Sequence, residues 1–300
     1  MITGRNAIET SGLTKLYGKA RGITDVNLTV PEGDFLGFIG PNGAGKSTTI
    51  RILLGLIAPT GGTARIFGED IRGKRTELLA RIGYMPSEAY FYRGMKAREV
   101  LEYSAGLRKK DCTREARRLC DRLGLDVNKR VDQLSLGNRK KVSIVCALQH
   151  EPELCILDEP TSGLDPLIQR EFYGILAERN KAGTTIFLSS HVLSEIQKYC
   201  KHAAVIREGR ILACDSIENL GHANAKEVTL SGVTAPPMLE EMRNVKIEAD
   251  TVSFLYSGET QKLLNALAQL NATDVMITEP DLEEIFMHYY KEEPHDNLKT

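Results

Sequence analysis

The stretch Gly40-Pro41-Asn42-Gly43-Ala44-Gly45-Lys46-Ser47 predicts the fold of this chain. It follows the apolar strand candidate Phe35–Gly40 and precedes Thr48–Leu56, which continues as a helix. Glycines permit backbone angles that let consecutive N–H groups point at phosphate oxygens, so strand, loop and helix together predict a P-loop. Within it, Lys46 reaches the β- and γ-phosphates and the Ser47 hydroxyl binds Mg²⁺. The predicted nucleotide-binding residues of the loop are Gly40, Pro41, Asn42, Gly43, Ala44, Gly45, Lys46, Ser47 and Thr48.

Two carboxylates follow a second strand candidate. The apolar run Leu154–Leu157 ends directly in Asp158 and Glu159. Asp158 suits the carboxylate that holds the Mg²⁺ water shell in P-loop enzymes, and Glu159 can accept a proton from attacking water. Taken alone, the two acids could instead cap a helix or lie on the surface. Together with the P-loop they predict a nucleotide hydrolase.

The first two-thirds of the chain has the pattern of an α/β domain. From Ile8 to about Asp215, short apolar strands alternate with longer helical segments, which indicates a parallel sheet flanked by helices. The stretch between Met95 and Gln149 is helical and rich in Arg and Lys, which predicts a helical subdomain of about residues 88–152 inserted into the sheet domain. Further strand candidates are Ile82–Met85, Thr184–Ser189, and a hairpin of Ala203–Arg207 and Arg210–Ala213 that turns through Glu208-Gly209.

The composition changes after Asp215. We predict an ATPase-type domain over residues 1–217, a polar linker over 218–225 and a small α+β domain over 226–300. A capping-box pattern at Asp281–Glu284 predicts a last helix through Tyr290. The other elements expected in the small domain are strands at Glu227–Leu230, Val245–Ile247, Val252–Tyr256 and Asp274–Thr278, and a helix near Thr260–Leu270.

Charge and hydropathy disfavour several classes of protein. The 300 residues carry 39 Lys and Arg against 40 Asp and Glu, a net charge of −1. This balance disfavours a histone-like protein or a polybasic membrane binder, and we predict no nucleic-acid partner. No apolar run approaches the ~18 residues of a membrane helix, and the first residues do not resemble a signal peptide. We therefore expect a cytoplasmic chain without a membrane span.

The cysteines and histidines show no metal-ligand spacing. Cys146 and Cys155 lie within apolar runs, and none of the six cysteines forms a C-x-x-C pair. We therefore expect reduced thiols that pack as small apolar side chains, and no transition metal.

Further motifs resemble those of one family. Leu134-Ser135-Leu136-Gly137-Asn138, before a basic helical run, is similar to the signature motif of ABC-type ATPases, usually Leu-Ser-Gly-Gly-Gln. Ser162-Gly163-Leu164-Asp165 matches the D-loop of that family, and Ser190-His191 matches its switch histidine. Tyr17 falls where the family stacks an aromatic ring on adenine, although it could simply pack on the β subdomain. The resemblance implies a RecA-like core sheet with an antiparallel β subdomain and a helical subdomain.

The resemblance also implies a mechanism. Two such domains pack head-to-tail, and each ATP lies between the P-loop of one copy and the signature motif of the other. Ser135 and the Gly137 N–H would bind the γ-phosphate in trans, Glu159 would act as the general base, and His191 would hold the γ-phosphate and attacking water. Asp165 would carry contacts across the interface, or cap the next helix, or both. The cofactors implied are ATP and Mg²⁺, and because both half-sites are present a homodimer suffices, although a heterodimer with a paralogue stays open.

Three positions depart from the family pattern. Ser87 stands where the family usually has a Gln that contacts Mg²⁺ and the attacking water. A serine hydroxyl can ligate Mg²⁺ but is shorter, so a bridging water or a shifted backbone is needed. Leu136 replaces a glycine and Asn138 replaces a longer glutamine, while Ser135 and Gly137 are kept.

The expected partner is a membrane permease. The segment Ser87–Met95 holds three aromatic residues in a polar neighbourhood, and in the family this region lines the groove that receives the permease. Each ring could equally pack locally. A permease partner would place the chain at the cytoplasmic face of the membrane. The motif spelling and the small C-terminal domain resemble subunits of bacterial ABC-2-type multidrug and antibiotic exporters.

The family resemblance also leaves open functions other than transport. A soluble ATPase acting on ribosomes or DNA would usually carry two cassettes or a long coiled-coil insert, and neither pattern is present. The existence of the C-terminal domain is the only support for a regulatory or sensing ATPase with little transport. Transport is favoured over both, and export over import, while the cargo stays open.

Overall fold

The computed structural model describes residues 5–18, 20–73, 75–220 and 226–278, and the chain divides into two compact units, Met1–Cys214 and Asp215–Thr300. The strands are β1 (Asn6–Tyr17), β2 (Ala20–Pro31), β3 (Phe35–Ile39), β4 (Gly61–Ile66), β5 (Glu69–Asp70), β6 (Ile82–Met85), β7 (Leu154–Asp158), β8 (Thr185–Ser190), β9 (His202–Arg207), β10 (Arg210–Ser216), β11 (Lys226–Ser231), β12 (Met242–Glu248), β13 (Thr251–Tyr256) and β14 (Asp274–Thr278). The helices are α1 (Lys46–Leu53), α2 (Arg75–Ala80), α3 (Ala97–Leu107), α4 (Thr113–Leu123), α5 (Leu136–Leu148), α6 (Pro166–Lys181), α7 (Leu193–Tyr199), α8 (Ile217–Leu220) and α9 (Thr260–Leu267), with a 3-10 turn at Val131–Gln133.

The first unit contains two sheets. Strands β2-β1-β4-β5 form an antiparallel sheet in that order. Its apolar side chains share one core with those of the second sheet and α1, as Ile8, Val30, Phe38, Ile50 and Ile156 are all buried there. One continuous apolar core therefore joins the two sheets and α1.

The second sheet positions the site. It has six strands in the order β10-β9-β3-β8-β7-β6, and β9, β3, β8, β7 and β6 run parallel. Every residue of β3, β7 and β8 is buried, which explains why these strands are mainly apolar, with polar residues near their ends. Ile39 pairs with Ser190, and Asp158 pairs with Ser189. The carboxyl ends of the three central strands therefore meet at one edge, where ligands bind in open α/β sheets.

The helical insertion lies between β6 and β7. It consists of α3, α4, the 3-10 turn and α5. Helix α5 packs against β6, α3 and α4, and its buried residues include Val142, Ile144, Val145 and Leu148. No described helix has the length and apolar character needed to cross a bilayer. All six cysteines are free thiols.

The second unit has its own core. Strands β12-β13-β11-β14 form an antiparallel sheet in that order. Side chains from β11, β13 and α9 bury one another, among them Val228, Leu230, Val252, Phe254 and Leu263. Within residues 226–278 this unit combines an antiparallel sheet with one helix, an α+β arrangement.

The structure differs from the expectation at the start of the linker. The linker was expected over residues 218–225, but residues 217–220 form helix α8. At the start of this helix the Ser216 Oγ accepts a hydrogen bond from the Asn219 N–H at 3.1 Å. Residues 221–225 and the expected helix from Asp281 to Tyr290 lie outside the described residues. Helix α9 ends at Leu267, three residues before the expected end.

Candidate active site

The P-loop connects β3 to α1 as the sequence predicts. Gly45 precedes α1 with φ of +114°, and a Cβ there would lie 2.7 Å from the Ile23 side chain, so only glycine fits. A Cβ at Gly40 would lie 2.4 Å from the Ile206 carbonyl oxygen. The backbone N–H groups of a loop built in this way, at the start of a helix, suit an anion.

A cavity of about 330 Å³ lies over this loop. It brings the P-loop together with Ser87, which follows β6, and Glu159, which follows β7. Gly22 of β2 completes its lining. The described residues that line it are Gly22, Pro41, Asn42, Gly43, Gly45, Lys46, Ser47, Thr48, Ser87 and Glu159.

Lys46 is a buried cation at the centre of the cavity. Only 6% of the residue is exposed, and its ammonium donates to the carbonyl oxygens of Gly40 and Pro41. The same ammonium lies 3.2 Å from the Glu159 Oε1. Desolvation makes a buried cation costly unless it is paired, so these contacts offset part of that cost and hold the Lys46 side chain in place.

Asp158 accepts two hydroxyl hydrogen bonds. The Ser47 Oγ donates to its Oδ2 at 2.9 Å, and the Ser189 Oγ donates to its Oδ1 at 2.6 Å. Asp158 is only 4% exposed. A buried carboxylate beside a hydroxyl offers the hard oxygen ligands that Mg²⁺ prefers, and Mg²⁺ completes its shell with water and phosphate oxygens. Within the described ranges, no three His, Cys, Asp or Glu side chains form a metal site by themselves.

Glu159 has an unusual backbone conformation. Its φ is +49°, a left-handed value that residues other than glycine rarely adopt. Its N–H donates to the Ser189 carbonyl oxygen and Oγ, both at 3.1 Å, and its Oε2 lies 2.7 Å from the His191 Nδ1. The carboxylate is therefore held between the Lys46 ammonium and the His191 ring, and it can accept a proton at the rim of the cavity.

The signature residues lie apart from the P-loop cavity. Ser135 caps α5, and its Oγ accepts a hydrogen bond from the Asn138 N–H at 3.3 Å. A Cβ at Gly137 would lie 2.9 Å from the Gly163 carbonyl oxygen, so α5 and the D-loop are in close contact there. Neither Ser135 nor Gly137 is among the described residues that line the cavity over the P-loop.

Asp165 and Tyr17 are also placed by the structure. Asp165 caps α6, because its Oδ1 accepts a hydrogen bond from the Ile168 N–H at 3.0 Å and Pro166 follows it. This is one of the two roles expected for it. Tyr17 ends β1 with 41% of the residue exposed, and its ring approaches Gly22, where a Cβ would lie 3.5 Å from it. The ring is thus next to the cavity without lining it.

Two residues that contact the acids after β7, Ser189 and Lys140, belong to no motif in the sequence. Ser189 was expected within a strand but not as a partner of Asp158, although adjacent carboxyl ends in a parallel sheet bring such residues together. Lys140 donates from its ammonium to the Glu159 carbonyl oxygen at 2.8 Å. The sequence spacing does indicate that Lys140 is buried, because it lies four residues before Ile144 and eight before Leu148, on the apolar face of α5.

The chain is similar to known proteins over most of its length. Residues 23–162 match the ABC transporter family model. The chain is 39% identical over 298 residues to the bacitracin transport ATP-binding protein BcrA of Bacillus licheniformis, covering 93% of this chain and 96% of that protein. It is 33% identical over 301 residues to the daunorubicin/doxorubicin resistance ATP-binding protein DrrA of Streptomyces peucetius, covering 94% of this chain and 91% of that protein.

A solved structure shares the fold. The ATP-binding subunit of an ABC transporter superposes with a TM-score of 0.68 at 30% identity, covering 72% of this chain and 92% of that one. The predicted fold class and family are therefore confirmed. The chain belongs to the ATP-binding subunits of ABC transporters, the family of ATPases that hydrolyse ATP to power transport.

Proposed function

We propose that this chain powers a drug or antibiotic exporter whose permease is a separate ABC-2-type membrane protein. The observation that carries the proposal is its similarity to a bacitracin transport subunit over nearly the whole of both chains. The similarity to a daunorubicin/doxorubicin resistance subunit points to the same class of cargo. Subunits of this family work with a membrane permease and dimerise. The permease would hold this chain at the cytoplasmic face of the membrane.

The roles of the P-loop residues follow from the cavity. The backbone N–H groups of the P-loop, apart from Pro41, which has none, and the Lys46 ammonium would bind the ATP phosphates, while Tyr17 would stack on the adenine beside Gly22. Ser47 and Asp158 would hold Mg²⁺, with Ser87 contributing from the end of β6. Bound Mg²⁺ supplies electrostatic stabilisation of the charge on the phosphates.

Glu159 would act as the general base. It reaches the cavity and is oriented by Lys46 and His191, so it can accept the proton of a water that attacks the γ-phosphate. When ATP is bound, the Lys46 ammonium would turn from Glu159 to the phosphates, which frees the carboxylate to accept that proton. His191 is 54% exposed in its side chain, so it can reach a γ-phosphate at the mouth of the cavity.

The second half of the site would come from a second copy of the chain. Ser135 and Gly137 start α5, where the helix dipole favours an anion, yet they are separate from the cavity over their own P-loop. A head-to-tail homodimer places them against the γ-phosphate bound by the partner copy. Asp165, in the D-loop next to Gly163 and Gly137, would contact the partner across the same interface.

The permease would dock at the groove lined by Ser87–Met95. A cavity of about 680 Å³ there is lined by Ser87, Glu88, Tyr90, Phe91 and Arg93 on one side. Tyr90 is 85% exposed and Tyr92 is 70% exposed, although each has a local contact: the Tyr90 hydroxyl donates to Glu88, and Tyr92 packs edge-on against Tyr103. Exposed rings of this kind are typical anchors for a partner.

The proposal is tested by recovering the chain from detergent-solubilised membranes of its own organism and identifying its partners by mass spectrometry. We expect a membrane protein of the ABC-2 type at near-equal stoichiometry. Tyr90→Arg should reduce that recovery, whereas Leu56→Arg, at another exposed apolar residue, should leave it unchanged. Deleting the gene should raise drug sensitivity, and the wild type but not Glu159→Gln should restore resistance. Recovery of ribosomal or DNA-repair proteins instead would contradict the transport role.

A further inference from the structure

Lys140 is a buried cation that lies outside both the signature motif and the pair of acids Asp158 and Glu159. It lies on the second turn of α5, after the signature residues, and is only 3% exposed. Its one described hydrogen bond runs from the ammonium to the Glu159 carbonyl oxygen at 2.8 Å. Burying an ammonium costs free energy that an apolar residue of the same shape would not, so this contact calls for a functional explanation.

The Glu159 peptide is fixed from both sides. Ser189 accepts the Glu159 N–H, while Lys140 and Ser162 donate to the Glu159 carbonyl oxygen at 2.8 and 3.2 Å. The backbone between them has a φ of +49°, a conformation that persists only where surrounding contacts hold it. The direction of the Glu159 side chain depends on this conformation. The carboxylate therefore reaches Lys46 and His191 only while the peptide stays in place.

The electrostatics agree with the geometry. Burial lowers the pKa of Lys140, while the carboxylates of Asp158, Glu159 and Glu88 oppose that shift. The ammonium therefore faces the acidic end of β7. Lys141, the next residue of α5, has the same side chain but none of these contacts among the described residues. It provides a matched comparison.

We propose that Lys140 is a positioning residue for ATP hydrolysis, which holds the Glu159 backbone so that its carboxylate can accept the proton of the attacking water. The proposal rests on the role of Glu159 as general base. Because Lys140 is part of the helix that starts at Ser135, it also links the γ-phosphate-binding end of α5 to the Glu159 of the same chain. A displacement of α5 would then move the general base.

The test is a double-mutant cycle on the full-length chain. Lys140→Met removes the donor and keeps an unbranched side chain only one atom shorter, so we expect kcat for ATP to fall about 10- to 100-fold, as for a misplaced catalytic group. Lys141→Met should leave kcat unchanged. In a Glu159→Gln background Lys140→Met should alter the residual single-turnover rate by less than about twofold, because no general base remains to be positioned. The affinity of the Glu159→Gln protein for Mg-ATP, measured by calorimetry, should be equally unaffected.

The outcomes separate the two proposals. If Glu159→Gln keeps the wild-type rate, the general-base role itself is wrong. If Glu159→Gln is slow but Lys140→Met matches Lys141→Met, only the role of Lys140 is wrong. An equal loss from Lys140→Met in both backgrounds would also overturn it, because Lys140 would then act independently of Glu159. Should Lys140→Met fail to fold, Lys140→Leu, which also lacks a donor, takes its place in the same cycle and is judged by the same criteria.

Discussion

At the scale of the residue, the site is built from polar groups that hold one another in place. The Asp158 carboxylate is fixed by two serine hydroxyls, one from the P-loop and one from β8. The Glu159 carboxylate is fixed by Lys46 and His191. Contacts that fix the two carboxylates reduce the rearrangement of side chains that catalysis would otherwise require. Ser87 is one of the three positions at which this chain departs from the pattern of its family.

Replacing Ser87 by glutamine tests what that departure does. Ser87 lines the cavity together with Glu159, but its hydroxyl is short for a direct contact with Mg²⁺ and the attacking water. Ser87→Gln should therefore raise the permease-coupled ATPase rate by about two- to fivefold, the value of a modest new contact in the transition state. Ser87→Ala, which removes the hydroxyl, should lower the rate. If all three proteins hydrolyse ATP equally fast in the assembled transporter, Ser87 takes no part in hydrolysis.

At the scale of the element, the strands of the parallel sheet were the most predictable feature. β6 has the expected bounds, β3 and β7 differ from expectation by one residue at one end, and β8 begins and ends one residue later than expected, because buried strands are rich in apolar residues. Outside this sheet, β14 also has the expected bounds, although its residues are exposed. The sequence did not predict where β1 and β2 begin and end. Their register is interrupted by irregularities, including one between Thr10 and Leu13, that break the alternation of apolar and polar residues.

The loops of the site were predictable from the sequence, but the contacts that hold them in place were not. The P-loop, the acids after β7 and the signature motif are local patterns, and each can be recognised without knowing the fold. The Lys140 contact joins α5 to the end of β7, and the Ser189 contact joins β8 to β7. Both depend on which elements become neighbours, which no local pattern specifies.

His150 provides a prediction at this scale, because it joins the end of α5 to β6. Its Nε2 lies 3.1 Å from the Ile82 carbonyl oxygen, the residue is 3% exposed, and burial together with the nearby Arg108 lowers its pKa from 6.5 to about 4. Between these values the unfolded chain binds a proton that the folded chain excludes, so stability falls as pH drops from 6.5 to 4. The full effect is about 3 kcal/mol.

The measurement compares thermal unfolding of the wild type and His150→Gln at pH 7 and pH 5. The amide of glutamine can still donate to Ile82 but does not titrate in this range. We expect the wild type to lose about 2 kcal/mol more than the variant between the two pH values, since the slope is about 1.4 kcal/mol per pH unit. All other titrating groups are common to both proteins. Equal losses would show that His150 does not resist protonation.

At the scale of the whole molecule, the chain holds two half-sites that do not meet within it. One is the P-loop cavity with Glu159, and the other is the start of α5 with Ser135 and Gly137. The γ-phosphate would be the only group that both half-sites bind. ATP would therefore hold two copies together while ADP would not, which turns hydrolysis into a change of association state.

Glu159→Gln is the variant that tests this at equilibrium. The amide cannot act as a general base, but it keeps the shape of the side chain, so ATP should stay bound and the dimer should persist. With Mg-ATP, light scattering should give twice the mass of the monomer, and with Mg-ADP the mass of the monomer. Adding Ser135→Arg should abolish the dimer but leave ATP bound, because Ser135 lies outside the cavity over its own P-loop. A Glu159→Gln protein that binds Mg-ATP and stays monomeric would show that closure needs the permease as well as the nucleotide.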